Sequence, residues 1–122
     1  MNLADAMNLA EMAVCLSRLP ACKDLSAYTI SVTTARLARL GREAQMHAEN
    51  VCNYPMPEGK DEKRRSSIMK RTIKALADLK IDATWRFKGA GKVMIEVHGD
   101  PRGSCLQIHI ARPSGLDLTL RF

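Results

Sequence analysis

Aromatic residues are scarce in this chain. One Trp, two Tyr and two Phe make up 4% of its 122 residues, so the apolar mass comes from aliphatic residues and seven Met. Hydrophobic residues still reach 46% and charged residues 26%, which is the balance of an ordinary globular domain. Length and composition therefore exclude a two-domain enzyme and a disordered tail protein, and they predict a single domain over residues 1–122.

Cysteine pairs with the spacing of a metal or redox motif are also missing. The four cysteines lie 7, 30 and 53 positions apart: Cys15, Cys22, Cys52 and Cys105. This spacing contains no C-x-x-C pair and no zinc-finger pattern, so we predict thiols and no metal site.

Long apolar runs are absent too. No stretch approaches the length of a membrane span, and Asp5 and Glu11 interrupt the apolar N-terminal segment. We therefore expect neither a signal peptide nor a membrane partner. Together with the predicted thiols, this indicates a reducing cytoplasm, either of the producing cell or of a host cell that a virus has entered.

Positive charge is present in excess and is unevenly distributed. Nineteen Lys and Arg against 13 Asp and Glu give a net charge of +6, and the pI is near 9.4. Residues 1–57 carry five charges of each sign, whereas 58–80 carry eight basic and four acidic residues and 81–122 carry six and four. Such a chain favours anionic partners: nucleic acid, nucleotides or an acidic protein surface.

Helical periodicity dominates residues 1–57. One helix is predicted over 3–18, with Pro20 as its stop, and a second over 32–52, which ends before Pro55 and Pro57. Residues 20–31 are left open, because Tyr28-Thr29-Ile30 favours a strand while the residues after it favour a helix.

A basic amphipathic helix is predicted over residues 58–80. At 100° per residue, one arc collects basic and polar residues and the opposite arc collects apolar ones. The basic arc comprises Lys60, Lys63, Arg64, Ser67, Lys70, Arg71 and Lys74. Arg65 falls inside the apolar arc, so either the first turn is not fully packed or this guanidinium has a role there.

From residue 81 the hydrophobic period changes to two, which predicts an antiparallel sheet over 81–122. Strands are expected around residues 84–87, 93–98, 106–110 and 116–122. Apolar parity, with a two-residue turn or a longer loop after the second strand, predicts these pairs: Val97 with Leu106, Glu96 with Gln107, Gln107 with Arg121, Ile110 with Leu118 and Arg112 with Leu116. The predicted fold is α+β, with about three helices packed on one face of a four-stranded meander.

The sharpest local motif is His98-Gly99-Asp100-Pro101-Arg102-Gly103. A type I turn explains its Asp, Pro and last Gly without any function, but it does not explain Arg102 or Gly99. In a ligand loop, Arg102 pairs with phosphate and the turn amides donate hydrogen bonds, while two arginines of the sheet add charge. The candidate ligand-binding residues are Arg102, His98, Gly99, Asp100, Gly103, Arg86 and Arg121.

The basic helix offers a second candidate site. Five of its cations are suited to follow a phosphate backbone: Lys63, Arg64, Lys70, Arg71 and Lys74. A solvated helix face explains the same pattern, because no aromatic residue interleaves with these cations to stack bases.

The sequence contains no recognisable set of catalytic residues. A metal site at His98 and His109, or a nucleophile at Cys105, lacks the further ligands or orienting groups that either chemistry needs. We therefore predict no metal, no cofactor and no enzymatic activity.

Three short motifs occur in a recognisable order: Arg36-Leu37-Ala38-Arg39-Leu40, Glu49-Asn50-Val51-Cys52-Asn53 at the end of the same helix and, after the basic helix, Gly99-Asp100-Pro101-Arg102-Gly103 with Leu106. Over about residues 36–110 this order resembles a group of small, mostly uncharacterised accessory proteins of tailed phages and prophages. The resemblance implies a phage origin and an accessory role that counters host defences by binding rather than by turnover.

The leading functional hypothesis is a non-catalytic binding protein that sequesters a phosphate-bearing ligand, such as a nucleotide immune signal, in the host cytoplasm. The alternatives are a DNA- or RNA-binding regulator that uses helix 60–80 and a direct protein inhibitor of a host defence complex of the CRISPR type. We also expect a homo-oligomer, formed through the sheet edge at the last strand or through the outer sheet face.

Overall fold

The structure, a computed structural model, describes residues 3–83, 93–98, 105–111 and 117–122. In these residues three helices are followed by a three-stranded antiparallel sheet. The helices are α1 (Leu3–Ser17), α2 (Ala27–Asn53) and α3 (Glu58–Asp78), with a short 3-10 helix at Pro20–Cys22 before α2. The strands are β1 (Val93–Val97), β2 (Leu106–Ala111) and β3 (Asp117–Arg121). The predicted α+β class is confirmed.

Helix α2 begins at Ala27, five residues before the predicted start at residue 32. Ser26 caps it, because its Oγ accepts a hydrogen bond from the Thr29 backbone N–H at 3.1 Å. The strand preference of Tyr28-Thr29-Ile30 is overridden because the helix buries Ile30, which is 6% exposed, in the core. Residues 20–31, left open by the sequence, therefore form a 3-10 turn and the first turn of α2.

Helix α3 ends at Asp78, slightly before the predicted boundary. Lys80 adopts a left-handed φ of 60°. The Ile81 N–H donates to Leu76 O at 3.1 Å and the Lys80 N–H to Ala77 O at 2.9 Å, which are the paired bonds of a Schellman motif. This motif satisfies the last carbonyls of α3 and ends the helix without a glycine.

The described sheet has the order β1-β2-β3, and every predicted pairing that falls within it is confirmed. The pairs are Val97 with Leu106, Glu96 with Gln107, Gln107 with Arg121 and Ile110 with Leu118. The predicted strand at 84–87 and the pairing of Arg112 with Leu116 lie outside the described residues, so the four-stranded count is not confirmed. Strand β3 lies at the edge of the described sheet, and the predicted homo-oligomer stays a prediction.

The core lies between the helices and one face of the sheet. Helix α3 packs on β1, α2 packs on β2, and α1 packs on α2. The fully buried side chains include Leu16, Leu37, Ile68, Leu76, Leu106 and Ile108, each 0% exposed.

Cys22 links the 3-10 turn to the end of α3, because its Sγ donates a hydrogen bond to Leu79 O at 3.2 Å. Burial raises the pKa of the Cys22 thiol.

Candidate anion-binding groove between two helices

Helices α2 and α3 form an antiparallel hairpin, and side-chain pairs join them along its length. At one end Arg36 Nη1 lies 2.6 Å from Asp78 Oδ2. Near the turn between the helices, His47 Nε2 lies 2.7 Å from Asp61 Oδ1, and the His47 side chain is only 8% exposed. These contacts fix which side of each helix faces the other, and so which charged residues meet.

A hollow lies between the two helices on their solvent side. From α2 it is lined by residues at positions i, i+3 and i+7, which share one helix face: Arg36, Arg39 and Glu43. From α3 it is lined by Arg71 and Lys74, while Leu40 and Ala75 contribute apolar surface. Its volume of about 530 Å³ is in the range of small-ligand sites.

Glu43 is the one carboxylate among the residues that line this hollow. Its carboxylate accepts two hydrogen bonds from Arg71, at 2.7 Å from Nη1 and 2.5 Å from Nη2. Arg64 Nη1 lies 3.8 Å from the same carboxylate. The hydrogen bonds from Arg71 hold the pKa of Glu43 below its usual value and raise the pKa of Arg71. One carboxylate thus orients two guanidiniums without neutralising both.

The cationic surface continues along α3 toward its N-terminus. A second hollow there is lined by Met56, Lys60, Lys63, Arg64 and Ser67, with no acidic residue among them. We call the two hollows together the cationic groove. Its seven cations are Arg36, Arg39, Lys60, Lys63, Arg64, Arg71 and Lys74, and its two carboxylates are Glu43 and Asp78. From Lys60 to Lys74 the groove runs about 21 Å along α3.

The adjoining face of α3 carries mixed charge. Lys70 and Arg65 line a hollow there together with three carboxylates: Glu58, Asp61 and Glu62. Arg65 is half exposed, and its Nη1 lies 3.8 Å from Asp61 Oδ2. The position of Arg65 in the apolar arc therefore reflects incomplete packing of that sector. Of the five cations predicted on the basic helix, four line the groove, and Lys70 lines the hollow beside it.

The outer face of the sheet holds a polar cluster around His98. Its Nε2–H donates to Gln107 Oε1 at 2.8 Å, and the same nitrogen lies 3.3 Å from Glu96 Oε2. Arg121 is exposed and lies opposite Gln107 across the β2–β3 ladder. The other candidate ligand-binding residues lie outside the described part of the chain: Arg86, Gly99, Asp100, Arg102 and Gly103.

Three residues in or near the groove were not assigned to a site from the sequence. Arg36 and Arg39 stand off the apolar stripe of α2, and their spacing of three was the only available signal that they share a face. Tyr54, which is 70% exposed, follows α2 two residues before Met56. Tyr54 lies in the turn between the helices, outside the basic segment, so the helical periodicity of that segment could not indicate a role for it.

The described residues offer little support for a metal site or for a nucleophilic cysteine. They contain no group of three or more His, Cys, Asp or Glu that is arranged to hold a metal ion. Cys105 is 1% exposed and packs in the core, where a substrate cannot reach its thiol. None of the described helices combines the length and the apolarity needed to cross a membrane.

Comparison with known proteins gives no match at the level of protein-family models, curated proteins or solved structures. The resemblance to phage accessory proteins therefore stays a prediction, and the functional proposal rests on the geometry of this chain.

Proposed function

We propose that the protein is a non-catalytic nucleic-acid-binding protein that holds a phosphodiester backbone in the cationic groove. One observation carries the proposal: two helices place seven cations and only two carboxylates along two neighbouring hollows, which the approach of Arg64 to Glu43 links. Four of these cations form no ion pair with any described residue: Arg39, Lys60, Lys63 and Lys74. Their charge is available to a ligand.

The arrangement suits a polyanion better than a single small anion. Cations spread over about 21 Å match a linear series of phosphates, whereas one phosphate engages only two or three of them. The helix backbone that carries the cations of α3 is packed against the protein, because Thr72 and Ala75 of the same helix are fully buried. Binding by preplaced cations releases counterions from the nucleic acid, so the affinity falls steeply with salt.

The test is fluorescence anisotropy with a labelled 20-mer over a range of salt concentrations. Lys63→Ala and Lys74→Ala are each expected to weaken binding several-fold and to reduce the slope of log K against log salt by about 1. Arg65→Ala is the matched control, because it removes the same charge from the same helix at about 160° around the helix axis from Lys63 and about 180° from Lys74. If Arg65→Ala weakened binding as much as Lys63→Ala, net charge alone would explain the effect and the proposal would be contradicted.

A second candidate function rests on the polar cluster of the outer sheet face. The hydrogen-bonded His98 stands beside Glu96 and Gln107 and at the start of the motif that contains Arg102. In this function the protein counters host immunity by sequestering a phosphate-bearing nucleotide signal, with Arg102 pairing to phosphate and His98 donating a hydrogen bond.

The second function is separable from the first by mutation. A thermal-shift screen with linear and cyclic nucleotides should give a salt-resistant rise in melting temperature, because a ligand that binds only the folded state stabilises it. His98→Ala and Arg102→Ala should abolish the shift, while Lys63→Ala and Lys74→Ala retain it. A shift that the two groove variants abolish would place the nucleotide in the cationic groove instead.

A further inference from the structure

Tyr54 lies two residues before Met56, which lines the cationic groove, and its side chain is 70% exposed. We propose that Tyr54 is a stacking platform for a nucleobase, so that the ligand of the groove is a single-stranded nucleic acid. The inference rests on the proposed function, since the groove must bind the phosphates that bring the base to the ring.

The backbone at Tyr54 is held firmly although its side chain is exposed. Its N–H donates to Asn50 O at 2.8 Å, which closes the last turn of α2, and its φ of −132° and ψ of 123° are extended. Pro55 and Pro57 follow it and restrict the turn to α3. The ring is 70% exposed, so it is presented from a fixed point without contributing to the core.

The backbone of Tyr54 is close to the hollow that the phosphate-binding cations line. Met56, two residues further on, lines the same hollow as Lys60, Lys63 and Arg64. Consecutive Cα atoms are about 3.8 Å apart, so the Cα of Tyr54 lies within roughly 8 Å of that of Met56. That separation fits a single nucleotide, whose base can stack on Tyr54 while its phosphate meets the lysines.

Base stacking distinguishes single strands from duplexes. The phosphates of both forms can enter the groove, but the bases of a duplex are already stacked on one another and their faces are closed to a protein ring. An aromatic ring beside a cationic groove is the usual arrangement for single-strand binding, and it tolerates any sequence because every base has a π face. The removal of Tyr54 should therefore affect one form and spare the other.

Tyr28 provides a matched control on the same helix. It is 78% exposed in the first turn of α2, at the other end of that helix. It precedes Tyr54 by 26 positions, which is roughly 39 Å along a helix. Tyr28→Ala removes the same ring far from Lys60, Lys63 and Arg64.

The experiment measures the affinity of the full chain for a 20-mer of dT, a 20-mer of rU and a 20-base-pair duplex. Tyr54→Ala should weaken binding to both single strands about tenfold or more and leave the duplex unchanged, while Tyr54→Phe and Tyr28→Ala behave like the parent protein. Unchanged melting curves for the variants would show that folding is intact. Weakening on one single-strand chemistry alone still supports the proposal, because the duplex is the comparison that decides.

Failure of the stacking proposal and failure of the proposed function give different results. If Lys63→Ala weakens binding to all three ligands and Tyr54→Ala weakens none, or weakens all three equally, the groove stands and the stacking proposal is overturned. If none of the three nucleic acids binds the parent protein at low salt, the proposed function itself is wrong and the stacking proposal fails with it.

Discussion

Glu43 of α2 interacts with two guanidiniums of α3 in the groove. Its double hydrogen bond to Arg71 fixes one guanidinium, and Arg64 is attracted from 3.8 Å. The same carboxylate also places a negative charge in a site whose other charged groups attract anions. The two effects of Glu43 therefore have opposite signs: it stabilises the helix pair and it weakens the attraction of the groove for phosphate.

The first prediction separates these two effects with Glu43→Gln. The pKa of Glu43 lies below its usual value of 4.5, so the unfolded chain takes up a proton before the folded chain does as the pH falls. The stability from this pair is complete above pH 4.5 and is lost as the pH falls through the lower folded pKa. Glu43→Gln should lower the free energy of unfolding at neutral pH by less than about 1 kcal/mol, because the pair is largely exposed, and should reduce the loss in acid.

Urea unfolding of both proteins at pH 7 and through the acid range measures the stability effect, and anisotropy at pH 7 measures binding. Glu43→Gln should bind nucleic acid more tightly than the parent despite its lower stability. Weaker binding by Glu43→Gln would mean that the ordering of Arg71 outweighs the removed charge.

At the scale of elements, α2 is the helix on which the rest of the fold depends. It contacts α1, α3 and β2, and Gly41 lets the last residue of the described sheet region approach its backbone. A Cβ added at Gly41 would lie 2.6 Å from both the C and the O atoms of Phe122. The glycine is therefore required by close approach and not by an unusual φ.

The second prediction compares two glycine substitutions in helices. Gly41→Ala should lower the free energy of unfolding by about 1–3 kcal/mol, because the backbone of Phe122 must move. Gly59→Ala, at the start of α3, meets nothing within 4 Å and should be neutral or stabilising by up to about 1 kcal/mol. Chemical denaturation of the two variants measures the difference, and a neutral Gly41→Ala would show that the end of the sheet does not press on α2.

Element type and register were largely predictable, and the exceptions have identifiable causes. The three helices and the pairing of β1, β2 and β3 follow from periodicities of 3.6 and 2, which depend only on one buried face per element. The start of α2 was not predictable from that pattern. Tyr28-Thr29-Ile30 prefers a strand locally, and only the burial of Ile30 against the finished core selects the helix.

At the scale of the whole molecule, the excess positive charge is concentrated where α2 and α3 meet. Residues 1–57 are neutral in sum, yet they contribute two cations, Arg36 and Arg39, and one carboxylate, Glu43, to the cationic groove. Seven cations beside two carboxylates leave a net charge of +5 there, so we expect the repulsion among them to exceed the attraction of the ion pairs.

The third prediction concerns this repulsion in the absence of ligand. Raising the salt concentration from about 10 mM to 200 mM should raise the melting temperature, because screening acts within a Debye length of about 10 Å at 0.1 M. Lys74→Gln should reduce the rise, whereas Lys23→Gln, at an exposed position in the turn before α2, should leave it unchanged. Differential scanning fluorimetry measures both, and a melting temperature that falls with salt would mean that the ion pairs outweigh the repulsion.

The sequence by itself determined the types of the described elements, the buried faces of α2, α3 and the three strands and the register of the described sheet. These properties follow from local periodicity, which any packing of the chain must respect. The buried face of α1 was not determined in this way, because Val14, on its predicted apolar stripe, is 47% exposed and Leu16 beside that stripe is fully buried. Tertiary structure alone decided the site, because it brought Arg36 and Arg39 of α2 beside Arg71 and Lys74 of α3. The physical reason is that a helical pattern gives the angle of a side chain about its own axis, whereas neighbours across a helix pair depend on how two axes align.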